Sequence, residues 1–190
     1  MKFTNYFLLI LASLTIGCTN DSDVVVSVNE VEYITTVQLI FTAQAPNSEV
    51  VLTFKDLDGE GANAPIITVS KPFKQNTTYR GNVFFRNDLA VPAQDITTEI
   101  LSEALDHQLF YETTGTLNPF EYNPDKSNFD KNGKPVGLQS IFKTTEVASG
   151  ILRVTLRHGP NKNAANVSSG NIANAGGATD IEVNFPVRVE

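Results

Sequence analysis

The chain of 190 residues contains no tryptophan, one cysteine and two histidines. Structural zinc sites use several Cys and His ligands at short spacings, and thiol enzymes pair a cysteine with a histidine base. The single cysteine, Cys18, directly follows an apolar N-terminal run and lies outside the body of the chain. Thiol catalysis and multi-cysteine zinc sites are therefore excluded.

Basic residues are also scarce, since Lys and Arg total 14 against 21 Asp and Glu, for a net charge of -7. Such a surface repels phosphate backbones, so no nucleic acid is expected as a partner. The sequence has no serine elbow, no phosphate-binding glycine loop and no Cys–His pair. We therefore expect a protein that is not an enzyme. Its 41% hydrophobic and 18% charged residues are typical of one globular domain.

The apolar run Phe7–Ile16 (FLLILASLTI) is too short to cross a membrane. As a helix it would span about 15 Å, half of a hydrocarbon core, and it follows a positively charged start. This pattern is typical of a secretory signal. The residues Leu14 to Cys18 (LTIGC) resemble a bacterial lipobox, although Thr15 stands where leucine is preferred. The resemblance implies that residues 1–17 are removed and that lipidated Cys18 anchors the protein to a membrane.

Residues 18–30 comprise the lipidated cysteine and an acidic tether, which begins Thr19-Asn20-Asp21-Ser22-Asp23. Such tracts resemble the signal that sends Bacteroidota lipoproteins to the outer face of the outer membrane. The alternative is a plain solvated tether on an anchor that faces the periplasm. We expect an outer-membrane lipoprotein, with the cell surface favoured over the periplasmic face.

Residues 31–190 contain eight runs of β-branched and aromatic residues, separated by Gly, Pro, Asn and Asp clusters. This pattern predicts one antiparallel, immunoglobulin-like β-sandwich of about eight strands. The predicted strands are Tyr33–Thr42, Glu49–Lys55, Ile66–Ser70, Thr78–Arg86, Gln108–Thr113, Gly137–Thr144, Gly150–His158 and Ile181–Val189. A short helix is predicted over Asp95–Asp106, capped by Asp95, and a long mobile loop over Gly159–Ala178.

Two carboxylates and an imidazole would share one face of that helix if it continued to His107. Glu99, Glu103 and His107 are spaced at i, i+4 and i+8, and Asp106 lies beside them. His158 could add a second nitrogen from the sheet, and such N and O ligands suit Zn²⁺ or Cu²⁺. The alternative is a solvated acidic face, with His107 packed at the end of the helix.

A calcium site is a weaker hypothesis for the turn Asp56-Leu57-Asp58-Gly59-Glu60. Asp56, Asp58 and Glu60 alternate as oxygen ligands do in a calcium loop, but the twelfth position, which should hold a bidentate Glu, is Ile67. A similar alternation over 128–133 also lacks that Glu. Either stretch is more simply explained as a hairpin turn, because Asp-Gly and Asn-Gly favour tight turns.

Several stretches together resemble a family of small lipoproteins from Flavobacteriia and other Bacteroidota. They are FKDLDGEGANAPIITVS, NTTYRGNVFFRN, DHQLFYETTG, TLRHGPNK and NAGGATDIEVNF. Members are often labelled "type 1 periplasmic binding fold superfamily protein", a name that implies two α/β lobes, whereas the strand-rich chain predicts a sandwich. The family is often encoded beside TonB-dependent outer-membrane receptors, which implies a role in nutrient uptake.

The leading functional hypothesis is therefore a non-catalytic, lipid-anchored binding module that serves a TonB-dependent receptor. Its ligand could be a transition metal held by Glu103, His107 and His158. The alternative is a surface adhesin or protein-interaction module that has no small-molecule site.

Overall fold

The computed structural model describes residues 33–44, 48–59 and 61–190, which fall within the compact unit Val31–Glu190. Over these residues the chain forms two antiparallel sheets and one α-helix. The elements are β1 (Thr36–Thr42), β2 (Val50–Lys55), β3 (Ile66–Val69), β4 (Thr78–Asn87), β5 (Gln94–Asp95), α1 (Ile96–Ser102), β6 (His107–Thr113), β7 (Phe120–Tyr122), β8 (Gln139–Lys143), β9 (Ala148–His158) and β10 (Ala178–Val189). The predicted antiparallel β-sandwich with one short helix is confirmed.

The larger sheet has the strand order β3-β2-β1-β4-β8-β7, with β5 paired to β4, and the smaller sheet has the order β10-β9-β6. All eight predicted runs contain a strand. Two further strands, β5 and β7, were not predicted, because two or three residues are too few to show an alternating pattern.

The core lies between the sheets because the strands alternate between buried and exposed side chains. In β4, Tyr79, Gly81, Val83 and Phe85 are buried, while the alternate residues between them are exposed. Phenylalanine rings fill the centre: Phe73 makes edge-to-face contacts with Phe41 and Phe142 at centroid distances of 5.2 and 5.1 Å. Such pairs add stabilisation beyond the burial of apolar area.

Helix α1 begins where predicted, but it ends earlier. Asp95 caps it by accepting a hydrogen bond from the Thr97 backbone N–H at 3.0 Å, and Ile96 and Ile100 are buried against the core. The prediction that it extends to Asp106 is wrong, because Glu103 leaves the helical conformation and a turn leads into β6. No helix among the residues described combines the length and apolar character needed to cross a bilayer.

The segment 159–178 is folded against the smaller sheet, in contrast to the predicted mobile loop. It contains two 3₁₀ turns, Val167–Ser169 and Ile172–Asn174. Val167 and Ala175 are fully buried with Phe110, which lies on the outer side of β6. The segment therefore covers one edge strand of the smaller sheet.

The last strand joins the two sheets. Alternate residues of β10, among them Phe185 and Val189, are buried in the core. Val189 forms a parallel bridge with Phe73, which donates its backbone N–H to Arg188 O at 2.9 Å and accepts one from Glu190 at 2.8 Å. The C-terminal residues thus complete the core.

Candidate metal-binding site

Strand pairing brings the two histidines together. His107 is the first residue of β6 and His158 is the last of β9, and the antiparallel register places them directly opposite each other. Residues that are directly opposite in an antiparallel pair point to the same face. His107 is fully buried and His158 is half-buried, so the imidazoles close one end of the inner face of this sheet.

The two rings are in contact through their nitrogen atoms. His107 Nε2 lies 3.0 Å from His158 Nδ1, and the rings are nearly perpendicular, at 87°. His107 Nδ1 lies 3.2 Å from the backbone oxygen of Glu103. Because a carbonyl oxygen can only accept, Nδ1 carries the proton, and in the neutral ring Nε2 presents its lone pair. In this form of His107, Nε2 is the acceptor of the 3.0 Å contact and His158 Nδ1 is the donor, whereas a doubly protonated His107 reverses the two roles.

A β-bulge brings a carboxylate to the same place. Thr179 pairs with Arg157 and Ile181 pairs with Leu156, so Asp180 is the extra residue on β10. Bulges redirect the side chain of the extra residue. Asp180 Oδ2 lies 3.7 Å from His107 Nε2, and the Asp180 side chain is only 9% exposed.

The three side chains can hold a divalent transition metal. One ligand atom from each of His107, His158 and Asp180 lies within 4.8 Å of the other two. Zinc–nitrogen bonds of about 2.0–2.1 Å in a tetrahedral site place two nitrogens about 3.3 Å apart, so the observed 3.0 Å requires a small separation of the rings. Three protein ligands leave a fourth position for water or an exchangeable ligand.

The surroundings of His107 suit a ligand role. Metal-binding histidines generally donate the second ring N–H to a backbone carbonyl or carboxylate, which fixes the tautomer. The Glu103 carbonyl provides this acceptor, and the Glu103 carboxylate lies on the same Nδ1 side, with Oε2 at 3.9 Å. That carboxylate approaches Nδ1, and the predicted ligand Glu103 is not part of the group that converges, which comprises His107, His158 and Asp180.

The structure separates the other predicted helix ligands from the histidine pair. Because α1 ends at Ser102, Glu99 and His107 do not share a helical face. Glu99 Oε2 instead accepts a hydrogen bond from Gln94 Nε2 at 3.2 Å. Asp106 is exposed, and its backbone oxygen accepts the Gly159 N–H at 2.7 Å.

The carboxylates of the predicted calcium turn stabilise the turn itself. Asp56 Oδ1 accepts the Gly59 N–H at 2.9 Å. Asp58 Oδ2 accepts from the backbone N–H and the side-chain amide of Asn63, at 3.1 and 2.7 Å, and these bonds hold the pKa of Asp58 below its ordinary value. This bonding favours the hairpin-turn interpretation. Glu60 lies outside the described residues.

A buried ion pair fixes the segment 159–178 beside the turn that precedes His107. Lys162 Nζ donates to Ala104 O at 2.6 Å and to Asp130 Oδ2 at 3.1 Å, with the two charged side chains 5% and 1% exposed. Desolvation lowers the pKa of Lys162. Desolvation alone would raise the pKa of Asp130, but hydrogen bonds from Lys134 N–H and Lys162 outweigh it and lower this pKa.

Sequence reasoning missed Asp180, because the predicted strand began one residue later and a bulge has no signal in the alternating pattern. The signal peptide, Cys18 and the tether at 18–30 lie outside the described residues. No family model, curated protein or solved structure matches the chain.

Proposed function

We propose that this protein is a non-catalytic, lipid-anchored cell-envelope module that binds a divalent transition metal and serves a TonB-dependent outer-membrane receptor. The observation that carries the metal-binding role is the convergence of His107 Nε2, His158 Nδ1 and the Asp180 carboxylate within 4.8 Å. The envelope location and the receptor rest on the sequence of residues 1–23 and on the family resemblance.

The ligand chemistry favours Zn²⁺ or Cu²⁺ over Ca²⁺. Imidazole nitrogen suits zinc and copper, whereas calcium takes six to eight oxygen ligands. The pair of imidazoles offers two nitrogens and Asp180 offers one carboxylate. A calcium site would need several more oxygens around the same point.

Burial of the site favours binding over turnover. The His107 side chain is 0% exposed and that of Asp180 is 9% exposed, so a metal would be reached past the half-buried His158. A metal in this position has little room for an organic substrate beside it. This geometry is consistent with capture and transfer of the ion itself.

Isothermal titration calorimetry of the purified full chain with Zn²⁺ and with Cu²⁺ tests the proposal. We expect one bound ion per chain and a loss of affinity of at least tenfold in His158→Ala and in Asp180→Asn. These variants are preferred to His107→Ala because His107 is fully buried and its loss would leave a cavity.

Glu103→Gln is the matched control, since this carboxylate is half-exposed, approaches Nδ1 of His107 and is outside the converging group of ligands. Its affinity should remain within about twofold of the parent. The proposal is wrong if neither metal binds at micromolar concentration, or if His158→Ala binds as tightly as the parent.

A further inference from the structure

Five large apolar side chains are exposed at the end of the larger sheet where the described chain begins. Val91 is 98% exposed and Ile66 is 64% exposed. Exposed apolar residues are ordinary when scattered singly, but a group at one end indicates a contact surface. We call this end of the larger sheet the N-terminal end. Its exposed apolar side chains are Tyr33, Leu57, Ile66, Leu89 and Val91.

Strand register places all five at the same end. Thr36, the first residue of β1, lies opposite Lys55, the last of β2, and opposite Arg86 near the end of β4. Ile66 begins β3 opposite Lys55. Tyr33 therefore precedes β1 at the edge where the β2–β3 turn, which carries Leu57, also emerges.

Specific contacts hold these turns together. Thr35 O accepts the Asp56 N–H at 2.8 Å, and Thr35 Oγ1 accepts the Asp88 N–H at 2.8 Å. Leu57 and Ile66 line one groove of ≈ 220 Å³. Leu89 and Val91 follow Asp88 in the turn between β4 and β5, so the hydrogen bonds to Thr35 fix the turn that carries them at the same end as the β2–β3 turn.

Among the described residues at this end, the carboxylates of Asp56 and Asp88 are engaged within the protein. Asp88 contacts Lys55 Nζ at 3.3 Å and Arg86 Nη2 at 3.0 Å, and it accepts the Thr36 hydroxyl at 2.8 Å. Asp56 accepts backbone N–H groups of its own turn. The exposed apolar side chains can therefore contact an apolar environment while these carboxylates keep their hydrogen bonds and ion pairs within the protein.

We propose that the N-terminal end lies against the bilayer surface, with Leu57, Leu89 and Val91 inserted among the lipid headgroups. The inference rests on the lipid anchor of the proposed function. Residues 19–32 link Cys18 to Tyr33 and span at most about 50 Å when fully extended. The covalent link thus reaches the domain at this end, and apolar loops with an interfacial tyrosine suit the headgroup boundary.

A fluorescent probe at position 91 tests this orientation in the full-length lipoprotein. Cys18 is the single native cysteine and is consumed by acylation, so Val91→Cys would supply the only free thiol. The labelled protein is reconstituted into zwitterionic phospholipid vesicles that contain a headgroup-region quencher lipid. We expect a blue-shifted emission and at least twofold quenching.

Val147→Cys is the control, because Val147 is 69% exposed and lies at the opposite end of the larger sheet. It follows β8, whose last residue, Lys143, pairs with Thr78 at the start of β4. A probe at 147 should not be quenched. The combined Leu57→Ser and Leu89→Ser change should reduce quenching at position 91 by at least half while leaving the β-sheet circular dichroism unchanged.

Mass spectrometry of the Cys18 peptide and flotation with vesicles report on the anchor separately. Acylated protein that floats but shows equal quenching at 91 and 147, or none at either, overturns the inference and leaves the anchor intact. Protein that carries no acyl chain and does not float overturns both.

Discussion

Replacing Lys162 with methionine removes the cation of the buried ion pair and keeps most of the side-chain volume. Asp130 would then be an ionised carboxylate with a side chain only 1% exposed and with its Lys162 partner lost. Removing one partner of a buried pair typically destabilises a protein by about 3–5 kcal/mol. Two backbone N–H groups, from Asn132 and Lys134, still bind Asp130 Oδ1 at 2.9 Å, so we expect the lower limit, about 3 kcal/mol.

Urea unfolding followed by circular dichroism measures this loss. With a slope of about 2 kcal/mol per molar urea, the midpoint should fall by about 1.5 M. Lys143→Met is the matched control, because the Lys143–Glu121 pair is shorter, at 2.8 Å, yet its side chains are 58% and 56% exposed. Exposed pairs contribute about 0–1 kcal/mol, so the midpoint should hardly move.

The double variant Asp130→Asn with Lys162→Met measures the interaction free energy between these two side chains. Because it removes both charges, its destabilisation should be smaller than the sum of the two single changes. If Lys162→Met destabilises the protein no more than Lys143→Met does, burial does not determine the strength of this pair and our reasoning is refuted.

Two further predictions concern carboxylates elsewhere in the fold. Asp95→Ala should lower the free energy of unfolding by about 1 kcal/mol, because the helix loses its N-cap. Asp95→Asn should retain most of the parent's stability, because asparagine is also a good N-cap residue. Urea unfolding of both variants tests this prediction. Acidification should also destabilise the domain. The folded-state pKa values of Asp88, Asp95 and Asp130 lie below 3.8, so the unfolded chain binds more protons and stability falls as the pH drops below about 4. Equal urea midpoints at pH 5 and pH 3 would contradict these shifts.

The alternation of apolar and polar residues was enough to predict the long strands. In β9 the pattern Leu152, Val154, Leu156 faces the core, as the sequence indicates. The helix start could be predicted because Asp95 is a strong N-cap residue. The end of the helix could not, because the turn at Glu103 depends on the geometry with which β6 joins the smaller sheet.

The candidate site was partly predictable. His107 was placed directly after the predicted helix and His158 at the end of a strand, and only the pairing of β6 with β9 brings them into contact. The alternation of apolar and polar residues does not show which strands pair. Asp180 reaches the site because it is the extra residue of a β-bulge. The position of such a bulge is determined by three-dimensional fit and not by residue type.

The position of β10 has a consequence for when the domain can fold. Phe73, at the centre of the aromatic core, is hydrogen-bonded to Arg188 and Glu190, which lie 115 and 117 residues further along the chain. Contacts between residues so distant in sequence form late and slowly. A chain still emerging from the ribosome therefore lacks the strand that completes this core until β10 has been synthesised. If residues 1–17 direct export, this delay keeps the domain unfolded, and so able to pass through a narrow secretion channel, until β10 has been synthesised.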